Sequence, residues 1–193
     1  MRIIGGEFKG VPIESPKGLD TRPTYDRVRE SLASIIISHV SDGLDGKRVL
    51  DCFGGSGAVG FELLSRGASF ALAFEKDKKS AQVIKANAKK LKLGKERYEL
   101  VVKNIFEQGL SVLENSSHAP FDIVFLDPPY KTEASLISEL LERFIENEII
   151  SRDCFIVYER ESGRPSFESS SLELLKSKKY GNTYLDSFLL QDK

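Results

Sequence analysis

Short apolar runs alternate along most of the chain with stretches in which apolar residues recur every three or four positions. The first pattern predicts buried strands and the second predicts amphipathic helices. From residue 48 onward the predicted strands cover residues 48–51, 70–75, 98–102, 121–126 and 154–158, and the predicted helices cover residues 58–66, 78–91 and 133–146. Strands that alternate with helices indicate an α/β fold with a mostly parallel, Rossmann-like sheet.

The two ends of the chain depart from this alternation. Residues 2–15 contain short β-prone runs broken by glycines, which predicts a small N-terminal hairpin. A helix is predicted to begin at Arg22, because Pro23 suits the first turn of a helix. Residues 172–175 and 183–190 flank a turn sequence and predict an antiparallel hairpin at one edge of the sheet.

Length and composition suit one domain, which we expect to span residues 1–193, with an N-terminal extension over 1–21 and a catalytic core over 22–193. Cys52 and Cys154 are the only cysteines, so we expect reduced thiols and no metal site. No apolar run approaches the roughly 18 residues of a membrane span, and the first residues do not resemble a signal peptide. We therefore expect a soluble, cytoplasmic protein that binds no membrane.

The charge is balanced overall but unevenly distributed. The chain has 28 Lys and Arg against 29 Asp and Glu, which excludes a strongly basic nucleic-acid-binding coat. Residues 76–103 hold ten basic and three acidic residues, whereas residues 104–150 hold two basic and nine acidic ones. The basic block predicts either a solvated helix face or a patch that faces phosphates.

The first predicted strand leads into the loop sequence VLDCFGGSGAVG, which satisfies the GxGxxG pattern of dinucleotide sites. Asp51 at the base of this loop would repel a pyrophosphate but would suit a ligand with an ammonium or sulfonium cation. S-adenosylmethionine has such a cationic end, and we predict that Asp51 faces it. The backbone at Gly54, Gly55 and Gly57 would allow close approach, and Glu75 would accept hydrogen bonds from the ribose hydroxyls.

The end of the third predicted strand supplies the remaining part of this cofactor site. Asn104 can form a hydrogen bond with the adenine, and Ile105 can cover the face of the ring. Two acids that follow the strand at 154–158, Glu159 and Glu161, could border the same cleft.

The tetrapeptide Asp127-Pro128-Pro129-Tyr130 follows the strand at 121–126 and is the strongest chemical signal in the chain. Two prolines make the segment rigid and leave it with acceptors only. A planar exocyclic amine could donate to Asp127 and to the Pro128 carbonyl while Tyr130 stacks on its ring. Such a site can orient a weak amine nucleophile and stabilise the positive charge that develops as a methyl group arrives. Reaching a base in this way requires an unpaired or flipped nucleotide.

These motifs resemble the class I S-adenosylmethionine-dependent methyltransferases, and specifically the RsmD-type 16S rRNA guanine-N2 methyltransferases. The resemblance rests on RIIGGEFKG, SPKGLDTRPTYDRVRESL, LDCFGGSGAVGFELLSRGA and FLDPPY, in that order, over roughly the first 160 residues. It implies a seven-stranded methyltransferase fold that acts on a guanine 2-amino group of 16S rRNA, within an assembling 30S particle. It also implies cofactor roles for Asp51, Gly55, Gly57 and Glu75, and target-base roles for residues 127–130.

The resemblance further implies a lid beside the cofactor and the RNA, formed by the segment with Arg22, Pro23, Thr24 and Arg27. Residues 1–48 hold eight basic and seven acidic residues, so this arm has no large positive field. We therefore expect a monomer that contacts RNA through a few placed side chains, namely Arg2, Lys9, Arg22 and Arg29, or through ribosomal proteins.

Three alternatives remain open from the residues themselves. The same site could methylate a DNA adenine or a protein glutamine, because both present a planar amine. The chain could also be a non-catalytic nucleotide-binding assembly factor. A redox Rossmann enzyme agrees least with the sequence, because Asp51 opposes a pyrophosphate.

Overall fold

The computed structural model describes residues 1–16, 23–40 and 43–191, with the side chains of the first helix from residue 28 onward. The strands of these residues are β1 Arg48–Asp51, β2 Phe70–Phe74, β3 Tyr98–Val101, β4 Phe121–Leu126, β5 Ile150–Glu161, β6 Leu172–Tyr180 and β7 Thr183–Leu190. The helices are α1 Pro23–His39, α2 Ala58–Ser65, α3 Lys78–Lys90, α4 Ile105–Leu113 and α5 Ala134–Glu146. No helix in these described ranges is both long and apolar enough to cross a membrane.

The seven strands form one sheet in the order β3-β2-β1-β4-β5-β7-β6. The pairs from β3 to β5 are parallel, and β7 is antiparallel to both β5 and β6. This confirms the predicted mostly parallel sheet with a C-terminal antiparallel hairpin. The strand order reverses between β1 and β4, and the carboxyl ends of the parallel strands share one edge there. Ligands of open α/β sheets bind at such a switch point.

Apolar side chains of the parallel strands alternate between two cores, one on each face of the sheet. Leu50 and Val124 point into the core covered by α4 and α5. Their neighbours Val49 and Phe125 point into the core covered by α1, α2 and α3. Because both faces are buried, these strands are continuous apolar runs, which explains why the sequence predicts them well.

Three elements differ from the sequence prediction, and one of them is β6, which runs to Tyr180 instead of ending at residue 175. The sequence did not predict α4, because Gly109 lies in its middle and glycine weakens helices. Here Gly109 is buried, and a Cβ on it would lie 2.8 Å from Cγ1 of Ile105. Strand β5 is longer than its apolar run, since its last residues pair with β7, as in the pairing of Glu159 with Leu185.

The predicted N-terminal hairpin is present as a single antiparallel bridge between Arg2 and Pro12. This segment lies against α2, where Glu62 accepts hydrogen bonds from the backbone amides of Ile4 and Gly5, each at 2.9 Å. A side chain at Gly6 would collide with the Ser65 carbonyl of α2. The motif RIIGGEFKG is therefore explained in part by close packing of backbone on helix.

Asn87 on α3 ties the N-terminal segment to the glycine loop. Its side-chain amide donates to the carbonyls of Glu14 at 2.9 Å and Ser56 at 3.0 Å, and its oxygen accepts from the Glu14 amide at 2.8 Å. Asn87 is buried, so its hydrogen bonds hold three segments in fixed relation. The N-terminal segment is thereby placed beside the loop that follows β1.

Candidate active site

Three adjoining clefts open at the carboxyl edge of the parallel strands. The inner cleft, of about 140 Å³, contains Asp51 and the glycine loop. The outer cleft, of about 410 Å³, contains Glu75 and the residues after β3. A side pocket of about 20 Å³ lies beside Tyr130. Asp127 and Glu159 line all three, so these two carboxylates lie where the clefts meet.

The three predicted loop glycines have different positions relative to the clefts. Gly54 lines the inner cleft and donates to the Phe74 carbonyl at 2.7 Å, and Gly55 lines both larger clefts. Gly57 lines neither of them. Instead it precedes α2 with φ of 77°, and a side chain there would collide with the ring of Phe61. Gly57 therefore sets the conformation of the loop and its packing on Phe61 and does not face either of the larger clefts.

Glu75 holds the glycine loop and also lines the outer cleft. One carboxylate oxygen accepts from the Gly55 amide at 2.9 Å, and the other accepts from the Asp77 amide at 2.7 Å. Each carboxylate oxygen has room for a further hydrogen bond. Glu75 can therefore fix the loop and bind a ligand hydroxyl at once; its contact with ribose stays a prediction.

Asp51 is a buried carboxylate with little compensation from its surroundings. It is 1% exposed and accepts a hydrogen bond from the Phe53 amide at 3.2 Å, and the Gly60 amide makes a weaker contribution. Burial raises the pKa of Asp51 to about 7, and the charges of Asp127 and Glu75 add to that rise while the Phe53 hydrogen bond opposes it. A cationic ligand in the inner cleft would stabilise the ionised carboxylate of Asp51 and so lower its pKa.

Asn104 and Ile105 line the outer cleft, but the Asn104 side chain already has a structural role. Asn104 caps α4, accepting from the Phe106 amide at 3.2 Å and donating to Glu107 at 2.7 Å. The predicted hydrogen bond of its amide to adenine would have to compete with these contacts. Ile105 is 3% exposed, so it offers only a small apolar surface to a ring.

Two phenylalanines line the outer cleft and were missed by the sequence analysis. The rings of Phe53 and Phe106 have centroids 5.7 Å apart and are tilted by 50°. Phe53 lies in the loop after β1 and Phe106 lies in the first turn of α4, which follows β3. Strand β2 separates β1 from β3 in the sheet. The only sequence signal was that each phenylalanine follows a strand end closely.

The Asp127-Pro128-Pro129-Tyr130 segment lies between the outer cleft and the side pocket. The Pro129 carbonyl accepts from the Thr132 amide at 2.8 Å, whereas the Pro128 carbonyl and the Asp127 carboxylate have no hydrogen bond among the described residues. The Tyr130 side chain is 63% exposed. Asp127 opens toward the cleft but is crowded by protein on its other sides, and this burial raises its pKa to about 7.

Matches over most of the chain identify its family. A family model described as conserved hypothetical protein 95 matches residues 1–189. Ribosomal RNA small subunit methyltransferase D of Haemophilus influenzae is 36% identical over 94% of this chain and 89% of its own length. The protein of the same name from Escherichia coli strain K12 is 34% identical over 83% of this chain and 75% of its own length. The chain belongs to this family.

Solved structures agree with the family assignment. The structure of yhhF from Escherichia coli, described as a proposed methyltransferase, has a TM-score of 0.78, 30% sequence identity and coverage of 100% of this chain and 99% of its own. A second proposed methyltransferase, SMU.776, complexed with SAH, has a TM-score of 0.66 at 17% identity, over 85% of this chain and 48% of its own. The second likeness shows the fold alone. The predicted class I methyltransferase fold is thereby confirmed for this member of the family.

One predicted RNA contact, Arg29, is buried and already has partners within the protein, and it also lines the inner cleft. Arg29 is 5% exposed; its guanidinium donates to the Arg2 carbonyl at 2.6 Å and lies 3.8 Å from Glu62. It therefore holds the N-terminal segment on α2. Arg2 and Lys9 have exposed side chains, so their predicted RNA contacts stay open.

The predicted lid of the family lies at the edge of what the structure describes. Arg22 lies outside the described residues, as do the side chains of Pro23, Thr24 and Arg27. Two basic residues that the sequence analysis did not single out line the outer cleft, namely Lys76 and Lys103. Both belong to the basic block of residues 76–103, so part of that block borders the candidate active site.

Proposed function

We propose that the chain transfers a methyl group from S-adenosylmethionine to the 2-amino group of a guanine in 16S rRNA. The family and the fold support the coarser statement that it is an S-adenosylmethionine-dependent rRNA methyltransferase. The observation that carries the finer one is the meeting of clefts at Asp127. One side holds acids suited to a cationic cofactor, and the other holds a rigid acceptor segment beside an exposed tyrosine.

The residues of the two larger clefts fit the cofactor. When bound, S-adenosylmethionine supplies a methyl group on a positively charged sulfur. Asp51 would face the cationic end, because its own burial leaves it in need of a positive partner. Glu75 would accept from the ribose hydroxyls while it holds Gly55. Phe53 and Phe106 would flank the flat adenine more broadly than Ile105 does.

The acceptor segment would orient the amine of the target base. Asp127 and the Pro128 carbonyl can accept its two hydrogens, which aims the nitrogen lone pair away from them. Tyr130 would stack on the flipped base. After transfer the nitrogen carries an extra proton, and Asp127, with its pKa near 7, can accept it as a general base.

Placed side chains rather than a bulk field would hold the RNA. Lys76 and Lys103 at the outer cleft, with Arg2 and Lys9 on the N-terminal segment, offer separate phosphate contacts. A net charge of only −1 favours a folded ribonucleoprotein substrate, such as an assembling 30S particle, over naked RNA. We further propose that the enzyme acts as a monomer without a metal.

The test combines transfer with mapping. The purified protein and labelled S-adenosylmethionine are incubated with 30S particles, and separately with naked 16S rRNA, from a strain that lacks the protein. We expect label in particles, weaker label in naked rRNA, and 2-methylguanosine at one position by nucleoside mass spectrometry. Label in adenine or in protein instead would overturn the proposed acceptor, and no label in any substrate would overturn the proposed activity.

A further inference from the structure

The carboxylate of Glu159 occupies a distinctive place in the site. It lies on β5 and, with Asp127, lines all three clefts. The acceptor segment reaches the same point from β4, the strand next to β5 in the sheet. A base held by Asp127 would therefore lie beside Glu159.

The Glu159 carboxylate has no hydrogen bond or ion pair among the residues that the structure describes. Its strand neighbour Arg160 is bound to Asp186 at 2.6 Å and stacks over Tyr184, so it neutralises another acid. Arg164 lies 3.9 Å from Glu161. Burial, followed by the charge of Asp127, holds the pKa of Glu159 well above its usual range. A partly buried acceptor without a donor is costly unless a ligand supplies one.

Guanine can supply that donor. Its 2-amino group adjoins the N1–H group on the same edge, so it presents two donors side by side. Adenine and cytosine instead present an amino group beside an unprotonated ring nitrogen, which is an acceptor. An enzyme that flips its target reads the base through this edge. Two adjacent carboxylates match the guanine pattern and place an acceptor against the ring nitrogen of the other two bases.

We propose that Glu159 accepts the N1–H of the target guanine while Asp127 accepts its 2-amino group, which makes Glu159 a specificity-determining residue. This rests on the proposed function and assigns base selection to a residue outside the Asp127-Pro128-Pro129-Tyr130 segment. A buried acceptor that loses its donor discriminates strongly, since the wrong base leaves the carboxylate unpaired.

The test uses 2-aminopurine, which keeps the 2-amino group but has an acceptor at N1. Once the target position is mapped, 16S rRNA is ligated with guanosine or 2-aminopurine there and assembled into particles. For the unaltered enzyme we expect kcat/KM for guanosine to exceed that for 2-aminopurine by roughly 10- to 100-fold. In Glu159→Gln the amide can donate to N1, so the preference for guanosine should fall at least tenfold. 2-Aminopurine also lacks the 6-oxygen of guanine, but this loss affects the unaltered enzyme and Glu159→Gln alike and therefore cancels when their preferences are compared.

Controls separate recognition from folding. Glu173→Gln makes the same change at an exposed position of β6 that lines none of these clefts, and it should keep the original preference. Glu159→Asp keeps the acceptor and should lower the rate while preserving the preference. If Glu159→Gln folds and binds cofactor but keeps the original preference, the proposal for Glu159 is wrong. If the unaltered enzyme methylates no guanosine, the proposed function fails instead.

Discussion

Glu62 and Asp51 are equally buried carboxylates, each 1% exposed, but their surroundings are opposite. Glu62 accepts from two backbone amides at 2.9 Å and from Arg66 at 2.7 Å, with Arg29 nearby. Asp51 has only backbone amides as donors, with the Phe53 amide at 3.2 Å, and the charges of Asp127 and Glu75 act against its ionised form. Burial alone therefore does not tell a structural acid from a ligand-binding one. The hydrogen-bond donors and charges around the carboxylate distinguish the two.

Three further acids follow the same division. Asp186 in the C-terminal hairpin is fully buried and is bound by Arg160 and Ser177. Asp127 and Glu159, at the meeting point of the clefts, have no such partners among the described residues, and burial raises the pKa of both. The satisfied acids join distant segments, whereas the unsatisfied ones face the clefts. We infer that stability and chemistry are assigned largely to different carboxylates, and that Glu75, which holds the glycine loop and also lines the outer cleft, serves both.

The largest effect is expected for Asp127→Asn, which keeps the shape but removes the charge at the acceptor. We expect kcat for methyl transfer to particles to fall by roughly 10²- to 10⁴-fold, because the general base is lost. The thermal midpoint should not fall, since no hydrogen bond or ion pair of the described protein is removed. Transfer assays and calorimetry measure the two quantities.

Asp122→Asn is the matched control, because Asp122 lies on β4, the strand that leads into Asp127, but binds Arg48, with its carboxylate 2.8 Å from the Arg48 amide. It should lower the thermal midpoint slightly and leave kcat unchanged. Equal loss of kcat in both variants would show that the comparison of partnered and unpartnered acids does not predict function.

The second effect concerns stability and is expected for Glu62→Ala. The change leaves two backbone amides and the buried Arg29 without their acceptor, and breaking a buried ion pair from one side costs about 3–5 kcal/mol. Each kcal/mol lowers the midpoint by about 2–4 °C in a chain of this size. Calorimetry should show this drop, and kcat at low temperature should change far less than in Asp127→Asn.

Glu30→Ala, at an exposed position of α1, serves as the control and should leave the midpoint nearly unchanged. A Glu62→Ala variant as stable as Glu30→Ala would mean that the N-terminal segment is held by packing alone.

The sheet was predictable from sequence because its signals are local. Strands β1 and β4 match the predicted bounds, since an apolar run between polar residues needs no distant partner to be recognised. The Asp127-Pro128-Pro129-Tyr130 segment was predictable for the same reason, because its chemistry lies in four consecutive residues. The family resemblance rested on equally contiguous motifs and is confirmed.

Distant partners were not predictable. Arg29 was expected on the surface, but it lies beside the buried Val28 on α1 and contacts Glu62 of α2, more than 30 residues away in the chain. The pairing of Phe53 with Phe106 depends on strand order, which the sequence pattern does not encode. Glu159 looked like one of two acids after a strand, and only the lining of the clefts distinguished it from Glu161.

The smallest effect is a pH dependence set by Asp51. Because the folded pKa is raised from 3.8 to about 7, its stabilising contribution is full below about pH 3.8 and is lost as the pH rises through about 7. Cofactor affinity should change in the opposite direction, since the cationic ligand prefers the ionised carboxylate. Between pH 5.5 and 7.5 we expect the thermal midpoint of the free protein to fall. Over the same range the affinity for S-adenosylmethionine, measured by calorimetry, should rise by about tenfold per pH unit below the pKa.

Asp51→Asn should flatten both trends, whereas Asp77→Asn, at an exposed helix cap that asparagine fills equally well, should preserve them. Binding that is independent of pH in the unaltered protein would show that Asp51 is already ionised, and so that its partners are more complete than the contrast with Glu62 implies.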